Sequence, residues 1–216
     1  LNGGPVQSDE LHFGEDVTPA QRRRFLDFVN ADLAVWRGTT PMRHTELLEV
    51  HLELKPGAKS SFRPTYTTSR TTMERLKQEV LKQEKQGVVE RTKGPGLYAS
   101  PVFLILKDDG SYRALFDARN INRLTRPPPK AKGTTMVRVA QSVGRHKYWA
   151  VLDIASAFFS IKVAEDSQHL LQFMLPDKST WKMARMPMGL SQSPSLWQQA
   201  LAMALGADLM AEVAAY

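Results

Sequence analysis

The sequence predicts an α+β fold, and three observations carry that prediction. Segments near 19–30, 72–86 and 193–205 place apolar residues at helical spacing. A short apolar run and a short alternating segment flank Asp109-Gly110, the pattern of an antiparallel hairpin. Further short strand-like segments lie between 148 and 183, and helices mixed with antiparallel hairpins form α+β layers. The chain has 216 residues, 42% apolar and 24% charged. That suits one large domain or two small ones and argues against disorder over the whole length.

Taken in order, residues 1–18 are polar, with Gly3, Gly4, Pro5 and Ser8, and read as a linker. Thr18 as N-cap and Pro19 at the first position open a helix to Asn30, with Phe25, Leu26, Phe28 and Val29 as its apolar side. His51, Glu53 and Lys55 alternate with Leu52 and Leu54, which predicts a strand stopping at Pro56-Gly57. The next helix, 72–86, has Thr71 and Glu74 at capping-box spacing. Met73, Leu76, Val80 and Leu81 form its stripe, and Gly87 ends it. Val88-Val89 starts extended chain. Val102 to Leu106 and Tyr112 to Phe116 form the hairpin, with Tyr112, Ala114 and Phe116 on one face and Arg113, Leu115 and Asp117 on the other.

Pro127-Pro128-Pro129 holds the chain extended. Tyr148 to Ile154, Phe159 to Val163 and Leu170 to Leu175 read as strands, and Asp177 to Ser179 turns into Trp181-Lys182-Met183. Ser193 as N-cap and Pro194 in the first turn open the last helix, whose inner side is Leu196, Trp197, Ala200, Leu201, Ala204 and Leu205.

The net charge of +7 is uneven. Residues 118–152 hold eight Lys/Arg and no acid, and residues 55–93 hold ten against four. Such a run suits a phosphate-facing surface, and equally a solubilising one. There is no cysteine, which excludes disulfides, thiolate metal sites and cysteine nucleophiles. An intracellular setting fits that lack of cysteine; no apolar run is long enough to span a bilayer, and Leu1 to Glu10 shows no secretory-signal pattern. Lacking a starting Met, the chain is expected to be a piece of a longer product. His12, His44, His51, His146 and His169 show no ligand spacing, and no Walker-type loop, Ser-His-Asp order or zinc pattern occurs.

Four groups of residues have types suited to chemistry. Asp153 follows the apolar run Trp149-Ala150-Val151-Leu152. Its carboxylate needs a metal, a pairing cation or hydrogen bonds, so a metal ligand and a structural strand-end Asp are both readings of it. Ala155-Ser156-Ala157-Phe158 sets small residues before an aromatic that suits either a sugar-facing platform or simple core. Lys107 and Arg113 flank the Asp109-Gly110 turn, as triphosphate contacts or as solvated charges, with Asp108 and Asp109 weakening the local positive field. Met186-Pro187-Met188-Gly189-Leu190 runs into Ser193-Pro194, either a close-approach turn before an anion-favouring helix start or an ordinary one.

In order and spacing these segments resemble a reverse transcriptase, with gypsy-type long-terminal-repeat retrotransposons nearest and retroviral enzymes more distant. The matching pieces are His51 to Lys59 with Arg63-Pro64 and Tyr66, Gly87-Val88-Val89, Tyr98-Ala99-Ser100-Pro101-Val102 and Lys107 to Arg113. They continue with Asp117-Ala118-Arg119-Asn120-Ile121-Asn122, Leu152 to Phe158, and Met186 to Leu190 with Ser193-Pro194 and Gln198. The likeness covers about residues 45–216.

The resemblance implies a right-hand polymerase fold: an N-terminal linker and short helix over 1–44, fingers over 45–145, and the first half of the palm over 146–216. It implies an RNA-directed DNA polymerase adding dNTPs to a primer by two-metal phosphoryl transfer. Asp153 would be the catalytic carboxylate and bind both Mg²⁺ ions (Mn²⁺ as the alternative), and the Ile154 carbonyl would bind one. Lys107, Arg113, Ala157, Phe158 and Met188 would face the dNTP, with Phe158 as the gate against ribonucleotides. Met188 stands where relatives often hold Phe or Gln. Asp117, Arg119, Asn122, Gly189, Pro194 and Tyr216 would line template or primer.

The partners implied are an RNA template, a DNA primer, a dNTP and the rest of a polyprotein: remaining palm, thumb, ribonuclease H and integrase. No membrane is implied, and the setting would be a cytoplasmic particle or the nucleus. The family's Tyr-x-Asp-Asp motif would begin at Tyr216, so these residues alone are expected to be inactive, because two metals need carboxylates on both. An uncovered palm edge there would invite a partner chain, a dimer among them. The rival function is a non-catalytic, retroelement-derived nucleic-acid-binding or structural remnant. A viral RNA-copying polymerase is disfavoured, since it would be expected to hold a second Asp near position 158.

Overall fold

The computed structural model describes residues 5–31, 42–128 and 154–212. Asp153, Tyr216 and most of the predicted strand 148–154 lie outside the described residues, as does Pro129. The chain divides into two compact units, residues 1–43 and 44–216.

In the first unit, helix α1 spans Pro19–Ala31 as its capping residues predict. Thr18 Oγ1 accepts from the Gln21 N–H at 3.3 Å, while Gln21 Oε1 accepts from the Thr18 N–H at 2.9 Å. This reciprocal pair satisfies amides that a helix start leaves open. Asn30 ties the end of α1 to Val6 through both its amide groups, at 2.7 and 3.1 Å. Phe13 meets the Phe25 ring edge-on at 6.0 Å, and the Arg22 guanidinium lies over Phe13.

The second unit is built on helix α2, Arg70–Lys85, packed against a hairpin and a small sheet. The hairpin is β5 (Val102–Leu106) and β6 (Tyr112–Phe116), in the predicted antiparallel register, with Val102 opposite Phe116 and Leu106 opposite Tyr112. Its predicted apolar face is the inner one: Ala114 and Phe116 are buried, and α2 contributes buried Leu76 and Val80. Burying one such aliphatic side chain stabilises by about 1.5–3 kcal/mol.

A three-stranded antiparallel sheet runs β3 (Val89–Arg91), β9 (Thr180–Met183), β8 (Gln172–Met174). Trp181 in its central strand is fully buried under the Arg91 guanidinium, 4.7 Å from the ring centroid, and Phe173 meets Phe116 edge-on across the core. Two parallel pairs complete the sheets: β1 (Thr45–Val50) with β7 (Ile161–Val163), and β2 (Ser61–Phe62) with β4 (Tyr98–Ala99). The short helices are α3 (Arg119–Leu124) and α4 (Glu165–Gln168). The last helix, α5 (Ser193–Glu212), breaks at Gly206 and packs on β1 and the turn 157–160. Among the described residues no helix is long and apolar enough to cross a membrane.

Four local predictions need correction. The strand predicted at 51–55 is instead β1, just before it. Past Val50 the chain leaves β7, and its bonds go elsewhere: the Leu52 N–H to Ser167 Oγ, the Arg126 N–H to the Glu53 carbonyl, and the Lys55 N–H to the Leu124 carbonyl. The Leu52/Leu54 alternation thus records one-sided burial, with a single antiparallel bridge from Leu54 to Thr125 in place of a strand. Helix α2 starts earlier than 72, capped by Ser69, whose hydroxyl accepts from the Thr72 N–H at 3.2 Å. The strand predicted at 159–163 begins only at Ile161: residues 157–160 form a 3₁₀ turn, where Ser156 takes a left-handed conformation (φ 55°) and its carbonyl accepts from the Phe159 N–H at 2.8 Å. Ser193 does not cap α5: its hydroxyl donates to the Pro187 carbonyl at 2.9 Å, and Gln192 is the residue whose carbonyl accepts from the Leu196 N–H.

Candidate functional site

The hairpin register decides where its cations point. Arg113 stands opposite Ile105, and the Lys107 N–H bonds the Ser111 carbonyl at 2.8 Å. Directly opposed residues share a face and alternate residues along a strand do too, so Lys107 and Arg113 emerge on one exposed face. Lys107 Nζ lies 3.7 Å from Asp109 Oδ2, the local neutralisation expected from the sequence. Arg113 reaches away from the turn, and its Nη1 lies 3.7 Å from Met188 Sδ. A narrow cleft there is lined by Leu115, Phe116, Phe159, Pro187 and Met188. Phe159 lines it together with Phe116 and Phe173, and Phe158 does not. Phe158 and Ala157 are half-buried on the 3₁₀ turn, and Ile154 is exposed.

The turn carrying Met188 and Gly189 is pinned from inside. Met186 and Leu190 are buried on either side of it. Gly189 has φ 86°, a left-handed conformation that glycine adopts without steric cost. Asn122, on α3, bonds the turn through both ends of its side-chain amide. Pro194, one step into α5, is exposed.

At the start of α3 lies a cluster of three side chains. Asp117 is 7% exposed and Arg119 is 74% exposed. Arg119 donates to Asp117 twice, Nε to Oδ1 at 2.8 Å and Nη2 to Oδ2 at 2.6 Å. The Arg119 N–H donates to Oδ1 at 3.2 Å and Tyr66 Oη donates to Oδ2 at 3.2 Å. The Arg119 bond, outweighing the burial that would raise it, brings the Asp117 carboxyl down to about 2. In return Asp117 pushes the Arg119 guanidinium up, so it is a cation at every accessible pH. The arrangement is a solvent-facing guanidinium on a fixed carboxylate mount, able to present charge and N–H donors to phosphate or base edges.

The fold therefore brings Arg113 to Met188 and Asn122 to Gly189, and it joins Asp117 to Arg119. Asp153 and Tyr216 lie outside the described residues. Among the described residues no three His, Asp or Glu side chains gather so as to hold a metal ion. Sequence reasoning missed Tyr66 as a member of the Asp117 cluster; its one signal was a Tyr set in the polar run 65–69, without apolar periodicity.

Residues 105–208 match the family described as reverse transcriptase (RNA-dependent DNA polymerase). The chain is 27% identical over 167 residues to a polyprotein of Cassava vein mosaic virus, covering 73% of this chain and 24% of that one. It is 27% identical over 161 residues to the Pol polyprotein of equine infectious anemia virus (strain Wyoming), covering 69% and 13%. The Gag-Pol polyprotein of Walleye dermal sarcoma virus is 27% identical over 154 residues, covering 70% and 9%. The chain thus spans a quarter or less of the length of these relatives. The family match takes in every residue singled out from Lys107 to Pro194, Asp153 included, and Tyr216 lies past it. Residues 105–208 are thus similar to the reverse transcriptase family, and the chain is similar to parts of viral polyproteins.

Proposed function

We propose that this chain is the fingers and first half of the palm of an RNA-directed DNA polymerase encoded by a gypsy-type retroelement, acting as part of a longer polyprotein. The observation that carries the reading is the reverse transcriptase match, which contains Arg113, Met188, Asn122 and Gly189, residues that the fold gathers from separate segments. In the complete enzyme the primer 3′-hydroxyl gives up its proton to water, its oxygen bonds the α-phosphorus of a dNTP, the bond from that phosphorus to the α,β-bridging oxygen breaks, and pyrophosphate leaves.

The residues of this chain bind and position. Lys107 and Arg113, sharing one hairpin face, hold the triphosphate. Arg119, braced by Asp117, meets the template or the nascent pair. Contacts of this kind lower the barrier through placement and fixed charge. Phe158 lies beside the sugar. Mg²⁺, when bound, supplies charge for phosphoryl transfer, with Asp153 and the Ile154 carbonyl as its proposed holders. Binding to template and primer is mostly to phosphates and falls with salt.

The test is primer extension on an RNA template with Mg²⁺, using this chain and one continued through a Tyr-x-Asp-Asp motif. The longer chain extends the primer and Asp153→Asn abolishes extension. Extension that survives Asp153→Asn overturns the assignment of that carboxylate. A longer chain that binds primer–template without extending it points to the non-catalytic reading.

A further inference from the structure

The side-chain amide of Asn122 is committed to one distant turn. Nδ2 donates to the Gly189 carbonyl at 2.9 Å, and Oδ1 accepts from the Ser191 N–H at 2.9 Å. These partners have opposite polarity, so the orientation of the amide is determined. Flipping it would set donor against donor and acceptor against acceptor. The two bonds fasten α3 to a segment 67 and 69 residues further along. Two other bonds hold the chain at the ends of this turn: Ser193 Oγ to the Pro187 carbonyl at 2.9 Å, and Gln192 Nε2 to the Arg126 carbonyl at 3.4 Å. Gly189 stays exposed, and a Cβ built on it would meet only the Phe116 carbonyl, at an ordinary 3.7 Å. Space does not force the turn into its shape, so its fastenings do.

We propose that Asn122 is a positioning residue: it clips the turn 188–191 in the conformation that offers Met188 and Gly189 to substrate, rather than reading the template itself. The clip stands on its own bonds, and its purpose rests on the polymerase reading above. The amide keeps one N–H outside the clip, so direct contact with nucleic acid is the outcome the test must separate.

Amide hydrogen exchange on the 216-residue chain reads the clip directly. Asn122→Ala speeds exchange of the Ser191 N–H about fivefold, while amides of β5 and β6 keep their protection; one net hydrogen bond corresponds to about that factor. Asn122→Gln keeps an amide but adds a methylene, so it cannot meet both partners in register, and it reproduces the Ala result should Ala unfold the chain. Unchanged Ser191 exchange in the Gln variant overturns the clip. Primer–template affinity is then measured in a cycle with Gly189→Ala. A residue acting through the turn loses its effect in the Gly189→Ala background, to within about twofold, because coupled sites are non-additive. Losses that multiply mean direct contact and overturn the positioning role. If the wild-type chain binds no primer–template, the polymerase reading fails, and Ser191 exchange alone still judges the clip.

Discussion

Asp117→Asn keeps the shape of a buried side chain and removes its charge. The carboxylate accepts two bonds from the Arg119 guanidinium, one from the Arg119 N–H and one from Tyr66. An Asn can accept at one oxygen only, and its NH₂ would face the Arg119 donors. The carboxyl lies at about 2 against an ordinary 3.8, which corresponds to roughly 2 kcal/mol of preference for the ionised form when folded. Arg119 is mostly exposed, so solvent screening trims this to about 1–2 kcal/mol.

The folded value is the lower one, so the stabilisation is present above the unfolded pKa and is lost as pH falls through about 4 towards 2. The variant is expected to unfold at a urea midpoint about 0.5–1 M lower than wild type at pH 7. About half of that gap remains at pH 3. Asp177, which burial would raise but Lys77 and Ser179 hold at about 2, titrates over the same range and cancels in the comparison. A carboxyl-carbon NMR titration of Asp117 checks the cause directly. A midpoint near 3.8, or an equal stability gap at pH 3 and pH 7, refutes the reasoning.

Arg119→Ala is expected to weaken primer–template binding across sequences and to lower the slope of log affinity against log salt by about 1, read by fluorescence anisotropy over a salt series. Phe158→Ala, placed in the longer chain of the proposed polymerase, is expected to admit ribonucleotides. Unchanged sugar discrimination in competition assays would turn attention to Phe159, which lines the cleft beside Met188. Leu76→Ala removes a side chain 2% exposed at the centre of α2 and is expected to cost about 2–4 kcal/mol, read by thermal or urea unfolding.

What was legible in the sequence was whatever local pattern dictates. The hairpin was readable because Asp109-Gly110 sits between an apolar run and an alternating segment, and its register follows from the turn. α1 was readable because Thr18 and Pro19 mark a helix start in one particular way. The misreadings came where a longer-range bond outcompeted the local one. Ser193 looked like a cap, yet its hydroxyl goes to Pro187. Thr71 had the capping-box spacing, but Ser69 takes the bond. The site divides the same way. Residue types suited to anions could be picked out one by one, but Tyr66 beside Asp117 and Asn122 beneath Gly189 arise from contacts 51 and 67 residues apart. No window along the chain contains those pairings.

Helix α3 shows why those two long-range groups belong to one device. It has six residues, too few to be stable by propensity and backbone bonding alone. Its N-cap position is Ala118, which makes no side-chain cap bond. Asp117, one residue earlier, takes over that work by accepting from the Arg119 N–H. Ile121 is buried beneath the helix, and Thr125 Oγ1 donates to the Ile121 carbonyl at 3.0 Å at its end. Arg119 and Asn122 are three residues apart and so lie on neighbouring positions of one helix face. The exposed guanidinium and the amide that fastens the turn at Gly189 therefore share a single short mount. That mount is ordered by a buried carboxylate at one end and a buried isoleucine in the middle. A chain that must hold a charged group and a glycine turn in fixed relation could do so with a large rigid core between them. Here a six-residue helix does it, and its side-chain bonds supply the rigidity that its length cannot.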